Sequence, residues 1–298
     1  MIYRTLGKTG AEVSVVGVGT WQFGGEWGID FAQKTVDTIF RTAKECGINL
    51  IDTAECYGDH LSESLIGNAI AGDRDEWFLA TKFGHHFCQN FERTEPRTAA
   101  DVVKQLEDSL LALKTDVIDL YQYHSWGDDE MYADDVQAAL LKAKDQGKVR
   151  FLGNSVRSKG DPSDVIGQST EHSIDTIQII YNRLRREPEE KSFEICQQQN
   201  LGVLARVPLA SGYLSGKYKP GHKFDKAEVR GKWHEDDARD RWLAEVEAIQ
   251  KDEVPEGVDM AQWAIAWCLK HPAVTCVIPG VKNAEQVRSN AAAVELIS

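Results

Sequence analysis

Apolar residues fall into two alternating patterns along this chain. Short runs rich in Val, Ile, Leu and aromatics, without internal alternation, are how strands read when both faces of a parallel sheet are covered. Such runs lie at 15–19, 48–52, 77–81, 117–123, 149–153, 177–180, 202–207 and 274–278. Between them the spacing turns helical: Val36, Ile39, Phe40 and Ala43 share one face, as do Val102, Leu106, Leu110 and Leu113. Helices are predicted near 62–71, 98–113, 133–146, 161–168, 188–199 and 284–292, and glycines such as Gly47, Gly72 and Gly147 stand near helix ends. Residues 3–14 read as a hairpin turning at Gly7-Lys8-Thr9-Gly10. Eight strand–helix units predict a (β/α)8 TIM barrel, a single domain over residues 1–298, with the N-terminal hairpin capping its bottom. The connection from Leu209 to about Arg239 is far longer than a βα loop requires, and it leaves the face where barrel active sites sit.

Polar residues interrupt the strand ends. In Asn49-Leu-Ile-Asp-Thr-Ala-Glu-Cys-Tyr-Gly58 an apolar run breaks at Asp52 and leads to Tyr57; Lys82 ends the third strand and His124 the fourth. The C-terminal ends of neighbouring barrel strands share one face about 5 Å apart, so these four residues converge. A tyrosine is a poor acid near neutrality unless its anion is stabilised, and Lys82 beside the phenol would lower its pKa. Asp52 would keep a buried Lys82 charged. His124 would hydrogen-bond the substrate oxygen and help orient or protonate it. The set suits carbonyl reduction, and since no side chain supplies a hydride, a nicotinamide is required.

Composition narrows the setting. The chain has 298 residues, 42% hydrophobic and 27% charged, and no apolar run near the length of a membrane span. Its cysteines (Cys46, Cys56, Cys88, Cys196, Cys268, Cys276) lack C-x-x-C spacing, and residues 1–7 lack a signal-peptide core. Free thiols and a cytoplasmic location are expected. A net charge of −13 argues against nucleic acid or anionic membrane as partners. A basic island, Lys217, Lys219, Lys223, Lys226, Arg230 and Lys232, breaks the acidic trend and is a candidate site for a small phosphorylated ligand.

The segments D-T-A-E-C-Y-G with S-E-S-L-I-G, A-T-K-F-G and D-L-Y-Q-Y-H, in this order and over nearly the whole chain, resemble the aldo-keto reductase superfamily, closest to bacterial and plant members without a long specificity tail. The resemblance implies a barrel that binds extended NADPH, in preference to NADH, without a Rossmann domain, with Asp52, Tyr57, Lys82 and His124 as catalytic tetrad. Gly17-Val18-Gly19 is then a decoy, for no G-x-G-x-x-G follows. The resemblance also implies that Gly19, Thr20 and Trp21 line the nicotinamide side and that Ser155 and Gln178 hold the carboxamide. Leu209, Ser211 and Lys217 would touch the pyrophosphate; Lys282, Gln286 and Asn290 would take the adenosine end, with Lys282 for the 2′-phosphate and Arg230 assisting. Two departures stand out: Val156 replaces the usual Asn after Ser155, and Arg206 replaces the aromatic that stacks on the nicotinamide. Trp21, Phe23, Trp27, Phe83 and Trp126 would wall a pocket for a small carbonyl substrate.

Two other readings compete. One is a regulatory barrel that binds cofactor as a redox sensor; a complete tetrad and a chain opening directly at the hairpin favour an enzyme instead. The other is a metal-dependent hydrolase using Asp52, His85, His86 and His124, but His85-His86 lacks the H-x-H alternation that points two ligands one way, so no metal is expected.

Overall fold

The buried apolar runs pair in parallel around a circuit. The structure, a computed structural model, describes residues 1–125, 132–225, 228–232 and 236–297. A hairpin of β1 (Tyr3–Thr5) and β2 (Glu12–Ser14) comes first, then β3 (Val18–Gly19), α1 (Gln33–Glu45), β4 (Leu50–Asp52), α2 (Leu61–Ile70) and β5 (Phe78–Phe83). A second hairpin, β6 (His86–Gln89) and β7 (Glu92–Thr94), precedes α3 (Ala99–Leu113), β8 (Ile118–His124), α4 (Asp134–Asp145) and β9 (Val149–Ser155). The chain continues with α5 (Ser163–Gly167), β10 (Thr176–Ile180), α6 (Ser192–Gln198), β11 (Gly202–Arg206), α7 (Asp236–Asp252), α8 (Met260–Leu269), β12 (Cys276–Ile278) and α9 (Ala284–Ala292). The eight-stranded parallel sheet runs β3-β4-β5-β8-β9-β10-β11-β12, and parallel bridges Val16–Val277 and Gly19–Gly280 join its two ends. This is the (β/α)8 barrel.

Strand parity decides what enters the barrel. Leu50, Phe78, Ala80, Leu120, Leu204 and Cys276 pack in one interior cluster with Leu6 and Val13 of the N-terminal hairpin, which plug the lower end. Their neighbours Ile51, Leu79, Tyr121, Val203 and Ala205 belong to the larger cluster shared with the helices. Two residues on from the interior layer, toward the C-terminal end, come Asp52, Lys82, Gln122 and Arg206 on the inward register.

Helix ends follow local chemistry. At the start of α3, Thr98 and Asp101 form a reciprocal capping box. The run of 209–239 is not open loop throughout: a 3-10 turn spans Ala210–Ser215, another spans Val229–Lys232, and α7 begins at Asp236. Tyr213, Leu214 and Phe224 from this stretch pack with Leu243, Val246 and Ile249 of α7 and with Met260 and Ala264 of α8. Lys226 and Trp126 lie outside the described residues, as does the side chain of Lys232.

Candidate active site

β4, β5 and β8 are adjacent, in the register Asp52–Ala80 and Lys82–Gln122, so three strand ends deliver their inward side chains to one layer. Lys82 Nζ donates to Asp52 Oδ1 at 2.7 Å and to the Thr53 carbonyl at 2.7 Å, and lies 3.4 Å from Tyr57 Oη. The His124 ring stands edge-on to Tyr57, centroids 6.1 Å apart. Asp52, Tyr57 and His124 line one cavity of about 400 Å³, with Lys82, 1% exposed, behind them.

Burial pushes the Lys82 ammonium down, but Asp52 and Tyr57 outweigh it and hold it above its ordinary value. Tyr57 corrects the expectation of an acidified phenol. Its burial outweighs the Lys82 charge, and the phenol stays above its ordinary value. His124 is corrected as well: burial, with His85, Lys82 and Arg206 adding to it, holds the imidazole well below its usual range. A neutral ring can donate a hydrogen bond to an oxygen but carries no spare proton to transfer.

Asp52 is tied from its second oxygen too. Gln178 Nε2 donates to Oδ2 at 2.7 Å, Gln122 Nε2 at 3.3 Å, and Ser155 Oγ donates to Gln178 Oε1 at 3.3 Å. Ser155 and Gln178, expected to grip a carboxamide, thus also brace the Asp52–Lys82 pair. Gln122 is not singled out by sequence reasoning, although it shares the inward parity of His124.

Tyr57 is positioned by its loop. A Cβ on Gly24 would sit 2.5 Å from the Tyr57 carbonyl carbon, so only glycine lets the two loops meet. Glu26, 1% exposed, accepts from Trp21 Nε1 (2.6 Å), the Phe91 amide (2.7 Å) and Arg93 Nη2 (2.7 Å), and Arg93 also donates to the Cys56 carbonyl at 3.3 Å. Sequence reasoning gives Glu26, Cys56 and Arg93 no role in the site: Arg93 lies on β7, a short, polar strand without an apolar period, and Glu26 and Cys56 lie in turns.

Of the expected cofactor residues, Gly19, Thr20, Trp21, Ser155, Gln178, Arg206, Leu209, Ser211, Lys217, Arg230, Lys282 and Gln286 line the same cavity. Asn290 does not; it is buried, and its Nδ2 has no hydrogen-bond partner among the described residues. Arg230 is paired with Glu228 at 2.9 Å and lies over the Phe224 ring at 4.3 Å. Gln286 Oε1 accepts from the Lys282 amide at 2.8 Å. Among the described residues no carboxylate lies within 4.0 Å of the charged ends of Lys217, Lys282 or Arg206. Trp21 and Trp27 line the cavity as expected, whereas Phe23 and Phe83 do not: both are fully buried, Phe23 against Phe31 and Phe40, Phe83 against Tyr121 and Tyr123. The Gly17-Val18-Gly19 stretch serves barrel closure, since a Cβ on Gly17 would meet Leu50 at 2.9 Å and one on Gly19 the Ile278 carbonyl at 2.7 Å.

Among the described residues Asp52, His85, His86 and His124 do not gather into a ligand set. The grouping with metal-ligand spacing is Glu55, Asp59 and His60. There His60 Nδ1 is bonded to Glu63 at 2.5 Å and His86 Nδ1 to Glu55 at 2.9 Å, a network that ties α2 and β6 to the Tyr57 loop.

The family model "Aldo/keto reductase family" matches residues 15–297. The aldo-keto reductase YhdN of Bacillus subtilis (strain 168) is 31% identical over 296 residues, covering 97% of this chain and 87% of that protein. The uncharacterized oxidoreductase YqkF of the same strain is 30% identical over 291 residues, covering 96% and 89%. Among solved structures, the holo form of the aldo-keto reductase AKR11C1 from Bacillus halodurans superposes with a TM-score of 0.82 at 30% identity, over 99% of this chain and 91% of that one. The glycerol dehydrogenase AKR11B4 from Gluconobacter oxydans gives a TM-score of 0.80 at 29% identity, over 94% and 86%. With a match that runs from the first barrel strand to the last helix, this chain belongs to the aldo-keto reductase family, oxidoreductases that work with a nicotinamide cofactor.

Proposed function

We propose that this protein reduces the carbonyl of an aldehyde, ketone or sugar, using NADPH in preference to NADH, with Tyr57 as proton donor. The observation that carries the reading is Lys82 held between Asp52 and the Tyr57 phenol at the wall of the cavity. Asp52, Tyr57, Lys82 and His124 are the catalytic set. The whole chain acts as one unit, and its acidic charge and free thiols fit a cytoplasmic enzyme without nucleic-acid partners. Among the described residues no helix is long and apolar enough to cross a membrane.

The residues present suit a nicotinamide dinucleotide phosphate. Lys217 and Lys282, without carboxylate partners among the described residues, and Arg230 offer cations to an anionic ligand along the same cavity that holds Tyr57. Gly19, Thr20, Trp21, Ser155, Gln178 and Arg206 would hold its nicotinamide end; Leu209, Ser211 and Lys217 its pyrophosphate; Arg230, Lys282 and Gln286 its adenosine end, while Asn290, buried off the cavity, takes no part. When bound, the nicotinamide supplies the hydride that no side chain can.

The chain's own residues handle the proton. A phenol above its ordinary pKa is fully protonated at neutral pH, so the acid is always loaded. Charge growing on the substrate oxygen makes that oxygen a far stronger base than phenolate, and transfer from Tyr57 Oη runs downhill without an acidified phenol. Lys82 then faces the phenolate it helps to stabilise, and Asp52 keeps Lys82 charged throughout. His124 orients the carbonyl oxygen as a neutral donor. The likeness to a glycerol dehydrogenase supports the reverse reaction, polyol oxidation, at the same site.

Mixing the protein with NADPH and 4-nitrobenzaldehyde should bleach absorbance at 340 nm, and Tyr57→Phe should abolish the loss while NADPH still binds. Turnover retained in Tyr57→Phe would remove Tyr57 from its role. Tight NADPH binding with no turnover over a broad carbonyl panel would make the protein a cofactor sensor instead.

A further inference from the structure

Cys56, which the proton-transfer scheme does not use, lines the cavity beside Tyr57 at 1% exposure, with its Sγ 3.6 Å from His124 Nδ1. We infer that Cys56 is a positioning residue: its thiol donates to His124 Nδ1, fixes the tautomer with the proton on Nε2, and so leaves an N–H for the substrate oxygen. The inference rests on the role proposed above for His124.

Two arrangements fit a sulfur–nitrogen contact, and their chemistry separates them. An imidazole nitrogen is a good acceptor whereas a thiol sulfur is a weak one, so S–H to N matches the better acceptor with the available donor. The reverse arrangement would spend the ring's single proton on sulfur and leave Nε2 with a lone pair, unable to bond a carbonyl oxygen. Both partners are in the protonation states this needs. Burial pushes the Cys56 thiol up to about 11, so it keeps its proton, and His124 is neutral. The charged groups acting on the ring, Lys82, Arg93 and Arg206, are all cations that disfavour a second proton on it. The His85 ring packs edge-on against it, centroids 4.7 Å apart, and is itself held below its usual value by burial.

The thiol is also held in place. The Cys56 carbonyl accepts from the Gly58 amide at 3.0 Å and from Arg93 Nη2 at 3.3 Å, so the backbone that aims Sγ at His124 is the one that aims Tyr57. A carbonyl oxygen in the cavity can then meet two donors, the Tyr57 hydroxyl and His124 Nε2–H, whose separate roles are transfer and orientation.

The test uses the full chain as Cys56→Ala and Cys56→Ser, with melting temperature and NADPH affinity as controls for folding and cofactor binding. Cys56→Ala should lower kcat on the order of fivefold, the worth of one ordinary hydrogen bond, with little change in NADPH affinity. Cys56→Ser, whose hydroxyl keeps the donor, should recover most of the loss. Independently of turnover, 15N spectra of histidine-labelled protein should place the His124 proton on Nε2 in the wild type and in Cys56→Ser, and a mixture of tautomers in Cys56→Ala. A wild-type proton on Nδ1, or a His124 tautomer that ignores both substitutions, would overturn the assignment. Because the spectra read the tautomer even in a protein without turnover, they separate a failure of this inference from a failure of the proposed reaction.

Discussion

Lys82 and Asp52 bury opposite charges at 1% and 4% exposure, and removing one partner of such a pair leaves the other unpaired away from water. Lys82→Met should cost about 3–5 kcal/mol in a urea melt and reduce kcat on the order of a hundredfold or more. A melt shifted by much less would mean that Gln178 and Gln122 alone satisfy Asp52. The titrations of Tyr57 and His124 set a pH profile. Tyr57 is raised in the fold, so kcat/KM for reduction should stay level through neutral pH and fall only above about 10, the ordinary phenol value. Its stability contribution, present below about 10, is lost as pH rises through the folded value. His124 is depressed in the fold, so its contribution is complete above about 6.5 and is lost as pH falls from there toward the folded value. A kcat/KM profile with an alkaline limb near 8 would contradict the protonated, unacidified phenol. At this scale the inward register of the strand ends makes Asp52, Lys82 and His124 legible in the sequence. The direction of the Tyr57 shift is not legible there, because it depends on how much water the packed loop excludes, and strand position does not report that.

The loop that carries Tyr57 is only as exact as the elements that hold it. Gly24→Ala would push a methyl to 2.5 Å from the Tyr57 carbonyl carbon, so the two loops must separate. Overpacking of this kind costs about 1–3 kcal/mol. We expect kcat for carbonyl reduction to fall at least tenfold, since small misplacements of a positioned acid are expensive. Thr98→Ala, which removes the cap of α3, should cost about 1 kcal/mol in the same melt and leave kcat unchanged. Equal effects of the two changes on kcat would show that global stability, not loop geometry, limits the reaction. The elements most readable in the sequence are those with a clean period, such as α1 and α3, or a buried run, such as β8. α8 reads M-A-Q-W-A-I-A-W-C-L, apolar nearly all round, so it shows no helical stripe. α7 spaces Leu243, Val246 and Ile249 along one face but is so rich in acidic and basic residues that it merges with the basic stretch before it. β6 and β7 carry too few apolar residues to announce themselves, yet through Glu26 and Arg93 they decide where Cys56 and Tyr57 sit.

At the scale of the whole molecule, a body of net charge −13 has to attract a cofactor that is itself an anion. Long-range repulsion of this kind is screened within about 10 Å at 0.1 M salt, whereas contacts at a few Å inside a cavity are screened much less. Cations lining the cavity, Lys217 and Lys282 among them, would let local attraction outweigh the global field. Added salt should therefore weaken NADPH binding only modestly, and at low ionic strength it should speed association by relieving the repulsion. The 2′-phosphate is the whole difference between NADPH and NADH, so comparing the two isolates the contact assigned to Lys282. Bound ligand at about a hundred times its Kd adds about 2.7 kcal/mol, which for a chain of this size raises Tm by about 4 °C. At equal concentration NADPH should raise Tm more than NADH does, and Lys282→Ala should bring the NADPH shift down toward the NADH shift while leaving the NADH shift unchanged. Lys217→Ala should reduce both shifts together, because the pyrophosphate is common to both cofactors. Equal shifts with NADPH and NADH in the wild type would remove the preference for the phosphorylated cofactor, and equal loss of both shifts in Lys282→Ala would move that lysine from the 2′-phosphate to the pyrophosphate.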